Sequence, residues 1–192
     1  MIKAIIFDCF GVLTLESWLA FRDEHFLHDD EKLAQAKLIN KDFDSGKISF
    51  EQFIKLIAEL AEKDEKETYE RIDHTPKNEA LLTYIKTNLH GEYKIGMLSN
   101  VGANWLETMF SREDLALFDA FALSFEIGYS KPDRRAYESI LNMLHVTADE
   151  AVFIDDQARY VAAGIEAGIT SLQFVSTEQA ISELENLLAK HA

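Results

Sequence analysis

Five short apolar segments, separated by stretches with helical spacing, limit the folds open to this chain. They are 2–7, 93–98, 120–124, 151–154 and 170–175. Each is bounded by turn-forming or charged residues, and most are rich in branched or aromatic side chains, as is typical of buried strands. From about residue 77 onward, the stretches between them repeat apolar residues at the period of an amphipathic helix. This alternation predicts an α/β fold, a mainly parallel sheet covered by helices on both faces.

The predicted core helices follow from that spacing, and two glycines mark where helices end. Gly91 and Gly168 lie where a helix end favours a residue that readily adopts the left-handed conformation. The helices are predicted at 77–89, 133–145, 157–167 and 177–190.

Residues 15–76 interrupt the alternation with a stretch whose pattern is helical throughout. Amphipathic helices are predicted at 17–28 and 30–43. Ser49 and Gln52 form the capping-box pattern that opens a third helix. The first strand is therefore followed by an all-helical insertion.

One segment of this insertion, DFDSGKIS at 42–49, resembles a calcium-binding EF-hand loop. Placing Gly46 at the sixth position of such a loop makes Lys41 the first ligand and Gln52 the last. Neither offers the carboxylate that Ca²⁺ requires there. The segment is predicted to be a turn between helices.

Length and composition predict one core domain with a small insertion. The core domain is expected to comprise 1–14 and 77–192, and the helical cap 15–76. A net charge of −15, from 34 acidic and 19 basic residues, disfavours nucleic acid and anionic membranes as partners. A single cysteine excludes an intrachain disulfide. No signal peptide is recognised, and no apolar stretch approaches the ~18 residues of a membrane span, so a cytoplasmic location is expected.

Polar side chains with complementary chemistry follow the predicted strands. The carboxyl ends of parallel strands meet at one edge of a sheet, where ligands gather, so these side chains are expected to lie together. They offer a carboxylate nucleophile, a hydroxyl, a fixed cation and an acidic pair, as phosphoryl transfer requires. Clustered carboxylates need a cation among them, and Mg²⁺ prefers such oxygen ligands. The residues are Asp8, Ser99, Asn100, Lys131, Asp155 and Asp156.

Taken one at a time, these residues also have structural explanations. Asp8 could form a turn, Ser99 could start the turn before a helix, and Asp156 could cap the helix that follows. Cys9 is interpreted as a small hydrophobic filler, because strand alternation turns it away from Asp8.

Four segments, FDCFGVLT, MLSN, GYSKPD and FIDDQ, resemble motifs I to IV of the haloacid dehalogenase-like (HAD) superfamily, in the family order. The resemblance spans almost the whole chain, including a C1 helical cap inserted after motif I. It implies a Rossmann-like three-layer α/β/α core and a hydrolase, most often a phosphatase.

The resemblance also implies roles for individual residues. Asp8 would be the nucleophile that takes the phosphoryl group as an aspartyl-phosphate. Ser99, with backbone amides near Asn100, would hold the phosphoryl oxygens. Lys131 would bridge the nucleophile and the transferring group.

The same resemblance implies a magnesium site. Asp156 would bind Mg²⁺ directly and Asp155 would lie beside it, binding directly or through water. Asp8 and the backbone carbonyl of Phe10 would complete the protein ligands. Gly11 would give the turn after motif I its conformational freedom.

Phe10 departs from the family pattern, which usually has a second Asp there as general acid and base. A phenyl ring cannot protonate a leaving alkoxide, and such help is typically worth ~10²–10⁴ in rate. One interpretation is a Mg²⁺-dependent phosphatase for a small phosphorylated metabolite, most commonly a sugar phosphate by analogy. In it, another group, such as Glu16, His25 or His28 of the cap, would supply the proton.

Two alternatives remain open at this stage. Family dehalogenases carry an aromatic Tyr at the position of Phe10 and need no metal, although a 2-haloacid dehalogenase would have no use for the pair Asp155 and Asp156. The other alternative is a non-catalytic binding or interaction protein that keeps the metal site. The oligomeric state is not predicted.

Overall fold

The computed structural model describes residues 1–15, 17–44, 47–73, 76–101 and 106–191. The chain forms two compact units: a core unit, Met1–Leu15 with Lys77–Ala192, and a helical insert, Glu16–Pro76. The strands are β1 (Ala4–Phe7), β2 (Lys94–Ser99), β3 (Ala120–Leu123), β4 (Ala151–Asp155) and β5 (Thr170–Gln173). The α-helices of the insert are α1 (Ser17–Phe26), α2 (Asp30–Asp44), α3 (Phe50–Ala61) and α4 (Glu65–Asp73). Those of the core unit are α5 (Glu79–Tyr84), α6 (Leu106–Met109), α7 (Arg112–Leu115), α8 (Ser124–Ile127), α9 (Arg134–Leu144), α10 (Ala158–Glu166) and α11 (Thr177–His191).

The core unit contains a five-stranded, all-parallel sheet in the order β3-β2-β1-β4-β5. The predicted α/β class and all five predicted strands are confirmed. β1 begins at Ala4 rather than at residue 2, because Ala4 is the first residue with a partner on each neighbour, Lys94 and Ala151. Strand ends are set by such partners, which periodicity along one segment does not reveal.

Alternate residues of β1 enter two separate cores, one on each face of the sheet. Ile5 and Phe7 belong to a cluster with apolar residues of α5 and α11. Ala4 and Ile6 belong to a second cluster that includes residues of α9 and α10. Because both faces are covered, each residue of β1 is apolar, and the strand reads as a continuous hydrophobic run.

The long core helices also match the predicted segments, with one internal change. The predicted helix 77–89 is capped by Asn78, runs as α5 and continues as a π-helical turn, Ile85–Leu89. Gly91 and Gly168 have positive φ angles of 92° and 91°, as the helix-end prediction requires. The short helices α6, α7 and α8 were not predicted, because four residues are too few to show a helical period.

The helical insert has its own aromatic core. The capping box predicted for α3 is present: the Ser49 hydroxyl accepts from the Gln52 amide, and the Gln52 side chain accepts from the Ser49 amide. Phe53 is buried against Trp18, Phe43 and Phe50.

Helix α4 and the EF-hand-like segment are two further features of the insert. Helix α4 was not predicted, because its segment EKETYERID has too few apolar residues to form a clear stripe. In the EF-hand-like segment, Ser45 and Gly46 lie outside the described residues. The Asp42 carboxylate pairs with Lys47 at 2.6 Å. Within the described ranges, no helix combines the length and apolarity of a bilayer span.

Candidate active site

Strand order places the polar residues of the core unit at one edge of the sheet. From β1 the chain adds β2 and β3 on one side and β4 and β5 on the other, so β1 lies at a topological switch point, where α/β folds bind ligands. Asp8 directly follows β1, and its amide donates to the Ile154 carbonyl at 2.9 Å. Ser99 ends β2 and Asp155 ends β4. The predicted clustering of these residues is observed.

Lys131 forms a buried ion-pair network with two carboxylates. Its ammonium lies 2.7 Å from Asp8 Oδ1 and 2.6 Å from Asp155 Oδ2. The side chains of Lys131, Asp8 and Asp155 are 1%, 7% and 0% exposed. Asp8 Oδ1 also accepts from the Cys9 amide at 2.7 Å, which fixes the carboxylate further.

Asp156 joins Asp8 and Asp155 in an acidic cluster whose ligand oxygens lie within 4.8 Å of one another. One lysine cannot balance three carboxylates, which leaves the cluster with excess negative charge. Asp156 Oδ1 is buried and makes no hydrogen bond within the described part of the chain. An oxygen-rich, anionic cluster with one unpaired oxygen fits Mg²⁺.

Two further observations define the surroundings of Asp156. A Cβ atom on Gly11, which has a φ of 84°, would lie 2.9 Å from Asp156 Cγ, so the turn after β1 approaches the carboxylate as only glycine allows. Asp156 does not cap α10; instead, Asp155 Oδ1 accepts from the Gln157 amide at 2.8 Å. The helix-cap explanation of Asp156 is therefore wrong.

Burial shapes the titration of the cluster. It raises the pKa of Asp8 to about 7, a rise that Lys131 opposes and Asp155 reinforces. Burial and the neighbouring Asp155 raise the pKa of Asp156 to about 6. Burial by itself would lower the pKa of Lys131, but Asp8 and Asp155 more than compensate and raise it. Asp8 and Asp156 therefore bind protons more readily than ordinary aspartates, and a divalent cation would compete with those protons.

Ser99 presents a second unpaired polar atom at the same edge. Its Oγ is buried and has no hydrogen-bond partner in the described residues. A buried hydroxyl is normally paired, so this one is free to donate to an oxygen of a bound ligand.

Asn100 has a role that the sequence does not reveal. Its Oδ1 accepts from the Lys131 amide at 2.7 Å and its Nδ2 donates to the Lys131 carbonyl at 2.9 Å. The side chain is thus committed to the backbone of Lys131, across the turn that contains the cis peptide bond Lys131–Pro132. The side chain is therefore not available to bind substrate. Binding of phosphoryl oxygens by the backbone amides near Asn100 stays a prediction.

Tyr160 and Tyr137 were missed as neighbours of the site. Tyr160 lies on α10 with its ring centroid 5.0 Å from the Lys131 ammonium, and Tyr137 donates to the Tyr160 carbonyl at 2.8 Å. Burial and the nearby Asp155 raise the pKa of Tyr137, which keeps this donor protonated. Both occupy apolar positions of helical patterns, so the sequence offers no signal to distinguish them from core residues.

Phe10 is half-buried at the rim of a small recess within the core unit. Among the residues that the structure describes, its lining is apolar apart from the Ser99 hydroxyl. Cys9 is buried among apolar residues, and burial raises the pKa of its thiol, in agreement with a filler role. The remaining lining residues are Val101, Leu106, Met109 and Leu123.

The groups suggested as replacements for an acid/base at position 10 belong to the helical insert. Glu16 lies outside the described residues. His25 stacks against Phe21, with ring centroids 4.3 Å apart, and His28 is exposed. Their role stays a prediction.

Comparison with known proteins assigns the family. The model of the haloacid dehalogenase-like hydrolases matches residues 2–168. The chain belongs to this family. The assignment agrees with the motif resemblance and with the parallel sheet whose strand ends carry Asp8, Ser99 and Asp155.

Four known proteins are similar to this chain in sequence or in fold. Sesquiterpene phosphatase astK of Aspergillus oryzae is 26% identical over 97% of this chain and 96% of its own length. Bifunctional epoxide hydrolase 2 of Sus scrofa is 27% identical over 92% of this chain. The chain spans only 29% of that larger enzyme, and only 22% of drimenol cyclase drtB of Aspergillus calidoustus. The structure of a predicted HAD-like family hydrolase of Porphyromonas gingivalis is 22% identical, covers 98% of both chains and superposes with a TM-score of 0.60.

Proposed function

We propose that this hydrolase is a Mg²⁺-dependent phosphatase that transfers the phosphoryl group of a small phosphorylated molecule to Asp8. The observation that carries the proposal is the buried cluster of Asp8, Asp155 and Asp156, paired with Lys131. The similarity of this chain to a sesquiterpene phosphatase, over nearly the full length of both chains, supports the same reaction.

Each polar group has a defined task in this proposal. Asp8 Oδ1 is held by Lys131 and the Cys9 amide, so Oδ2 attacks phosphorus and the ester oxygen leaves with the electron pair of the broken P–O bond. Ser99 Oγ donates to a phosphoryl oxygen. Lys131 damps the repulsion between the carboxylate and the phosphoryl group. Water then attacks the phosphorus of the aspartyl-phosphate and the P–O bond to Asp8 breaks, which regenerates the carboxylate and releases inorganic phosphate. One proton of that water ends on the released alcohol and the other on the phosphate.

The metal ligands are proposed to be the carboxylates of Asp8, Asp155 and Asp156 and the carbonyl of Phe10. When bound there, Mg²⁺ would neutralise charge on the phosphoryl oxygens. Asp156 Oδ1 supports this, because it is buried and has no hydrogen-bond partner among the described residues.

Phe10 shapes the choice of substrate in two ways. It cannot donate a proton, so phosphates with good leaving groups are favoured over alkyl phosphates. Its ring and the apolar side chains of the small recess beside Ser99 also give this part of the core unit an apolar surface, which supports a substrate with an apolar group near the phosphate. The name of the sesquiterpene phosphatase points the same way, and we therefore favour an apolar phosphate monoester over a sugar phosphate.

The reaction is tested with p-nitrophenyl phosphate in the presence of Mg²⁺ or EDTA. Wild-type turnover is expected to need Mg²⁺ and to vanish in Asp8→Asn. Asp149→Asn, which removes an exposed carboxylate of the same unit, is the matched control and should retain activity.

Three results would contradict the proposal. Cleavage of 2-chloropropionate in EDTA would indicate a dehalogenase. No turnover on a broad panel, combined with Mg²⁺-dependent thermal stabilisation by phosphate mimics, would indicate a binding protein. Turnover retained in Asp8→Asn would exclude this residue as the nucleophile. In addition, Phe10→Asp is expected to raise activity if only the acid/base is missing.

The substrate preference is tested by comparing kcat/KM for hexyl phosphate and glucose 6-phosphate. Hexyl phosphate is expected to be preferred, and Met109→Lys, which places a charge in the recess, should reduce that preference. Met143→Lys is the control, because Met143 is exposed on α9. A preference for glucose 6-phosphate would overturn the apolar-substrate proposal and leave the reaction itself standing.

A further inference from the structure

We infer that Tyr160 is a positioning residue, which holds the Lys131 ammonium between Asp8 and Asp155. The inference rests on the proposed phosphatase function for its kinetic consequence and on geometry for the role itself. Tyr160 lies outside the four segments that carry the family resemblance.

The first line of evidence is the aromatic environment of the ammonium. Lys131 Nζ lies 5.0 Å from the ring centroid of Tyr160 and 5.5 Å from that of Phe153. An ammonium within about 6 Å of an aromatic centroid is attracted by the ring, and the attraction grows where water is excluded. The Lys131 side chain is 1% exposed, so this condition holds.

The second line of evidence is the link from the phenol to the Lys131 backbone. Tyr160 Oη accepts a hydrogen bond of 3.2 Å from Asn100 Nδ2. The same amide group donates to the Lys131 carbonyl, and its oxygen accepts from the Lys131 amide. Tyr160 therefore contacts the side chain of Lys131 directly and fixes the residue that clamps its backbone.

Tyr160 is itself held in place from two sides. Its carbonyl accepts from the Tyr137 hydroxyl at 2.8 Å. The Arg159 guanidinium donates to its Oη at 2.9 Å and lies 4.5 Å from its ring centroid. A side chain with this many contacts is a rigid support, and rigid support is what a catalytic cation needs to keep its geometry during turnover.

The role matters because Lys131 must serve two carboxylates at once. The ammonium is drawn toward Asp8 by one hydrogen bond and toward Asp155 by another. A support on the remaining side keeps it from shifting toward Asp155 when a phosphoryl group arrives next to Asp8. The ring of Tyr160 supplies that support without offering a further acceptor to the ammonium.

Two substitutions separate the ring from the hydroxyl. Tyr160→Phe keeps the ring and removes the acceptor for Asn100, and we expect kcat to fall by about 5-fold. Tyr160→Leu removes both, and we expect kcat to fall by about 30-fold with KM changed by less than about 2-fold. Tyr84→Leu, at a tyrosine that packs on the opposite face of the sheet, is the matched control and should leave kcat unchanged.

A double-mutant cycle distinguishes positioning from a general structural role. If Tyr160 acts through Lys131, Tyr160→Leu should change the residual kcat of Lys131→Met by less than about 2-fold. An equal loss in both backgrounds, or a Tyr160→Leu protein that retains wild-type kcat, would overturn the inference.

Crystal structures of wild type and Tyr160→Leu provide a readout that does not depend on turnover. We expect the distance from Lys131 Nζ to Asp8 Oδ1 to lengthen in the variant, and an unchanged distance would contradict the positioning role. If the wild-type protein hydrolyses no phosphate, the proposed function fails while this distance still decides the inference. If Tyr160→Leu does not fold, the distance from Lys131 Nζ to Asp8 Oδ1 is measured instead in Tyr160→Phe and in Asn100→Leu.

Discussion

The core unit has a buried network of charged side chains, whereas the interior of the helical insert is aromatic. The core unit buries Lys131 between Asp8 and Asp155, all less than a tenth exposed. The insert places its ion pairs on the surface: Arg71 and Glu24, which lie 2.6 Å apart, are 42% and 53% exposed. The interior of the insert is instead aromatic, with Phe53 at its centre.

The difference shows that the core unit, and not the insert, contains charges whose burial is energetically unfavourable. Removing charges from water is expensive, and a buried ion pair is often no more stable than an apolar replacement. Surface pairs cost and contribute little. The buried network is therefore better explained by the reaction that it serves than by stability, and three predictions examine this contrast in order of decreasing effect.

The largest effect is expected for Lys131→Met. Removal of the ammonium leaves Asp8 and Asp155 buried without a counter-charge, which should lower the free energy of unfolding by about 3–5 kcal/mol and reduce kcat to a small residual value. Urea unfolding followed by circular dichroism measures the change. Arg71→Ala in the insert is the control, with an expected loss below about 1 kcal/mol. Equal losses in the two variants would remove the contrast between the units.

A smaller effect is expected for Gly11→Ala. The left-handed backbone and the contact of the new Cβ with Asp156 should together cost about 2–3 kcal/mol and weaken Mg²⁺ binding. Gly91→Ala is the matched control, since Gly91 also has a positive φ but no described residue lies within 4 Å of the position that its Cβ would take. It should cost about 1–2 kcal/mol and leave Mg²⁺ binding intact. Calorimetric titration with Mg²⁺ gives the second readout, and equal Mg²⁺ affinity in both variants would contradict the close approach to Asp156.

The smallest effect is expected from pH. Asp8 and Asp156 have raised pKa values of about 7 and about 6. The folded protein therefore binds more protons than the unfolded chain between their ordinary pKa and these values, and the free energy of unfolding falls as pH rises through that window. In EDTA we expect the free energy of unfolding to fall between about pH 5 and about pH 7.5, and Mg²⁺ should diminish that fall.

In the insert, the free energy of unfolding is expected to depend on pH in the opposite direction, which provides an internal reference. Hydrogen bonds from Arg71 and Lys32 lower the pKa of Glu24 and of Glu62. Their contribution is present above the ordinary pKa of glutamate and is lost as pH falls through the lowered values. Asp156→Asn should make the free energy of unfolding fall less steeply with pH above pH ~5. It should leave the pH dependence that comes from Glu24 and Glu62, below pH ~5, unchanged. If the decrease in the free energy of unfolding with pH does not respond to Asp156→Asn or to Mg²⁺, the acidic cluster is not its cause.

Much of the fold could be predicted, because its signals are local. The five strands and the four long core helices follow from apolar periodicity within single segments. Helix α4 was missed because few of its residues are apolar, and the π-helical turn Ile85–Leu89 because its spacing differs little from that of an α-helix over five residues. Strand ends shifted by a few residues, since partners on neighbouring strands decide them.

The candidate site divides in the same way. Asp8, Lys131, Asp155 and Asp156 could be selected because each follows a strand or a recognisable motif, and parallel strands bring their carboxyl ends together. The commitment of the Asn100 side chain to Lys131, 31 positions away, and its bond to Tyr160, 60 positions away, have no local signal. Tyr160 reads as an ordinary core residue of α10 for the same reason.

By itself, the sequence determined the order of strands and helices along the chain and the chemical types of the groups that end the strands, because short-range periodicity and residue chemistry are properties of single segments. Only the tertiary structure decided which oxygen of Asp8 faces Lys131, which atoms of Ser99 and Asp156 have no hydrogen-bond partner among the described residues, and how far burial raises the pKa of Asp8. These depend on distances between segments far apart in the chain and on the exclusion of water from the folded interior, which no single segment encodes.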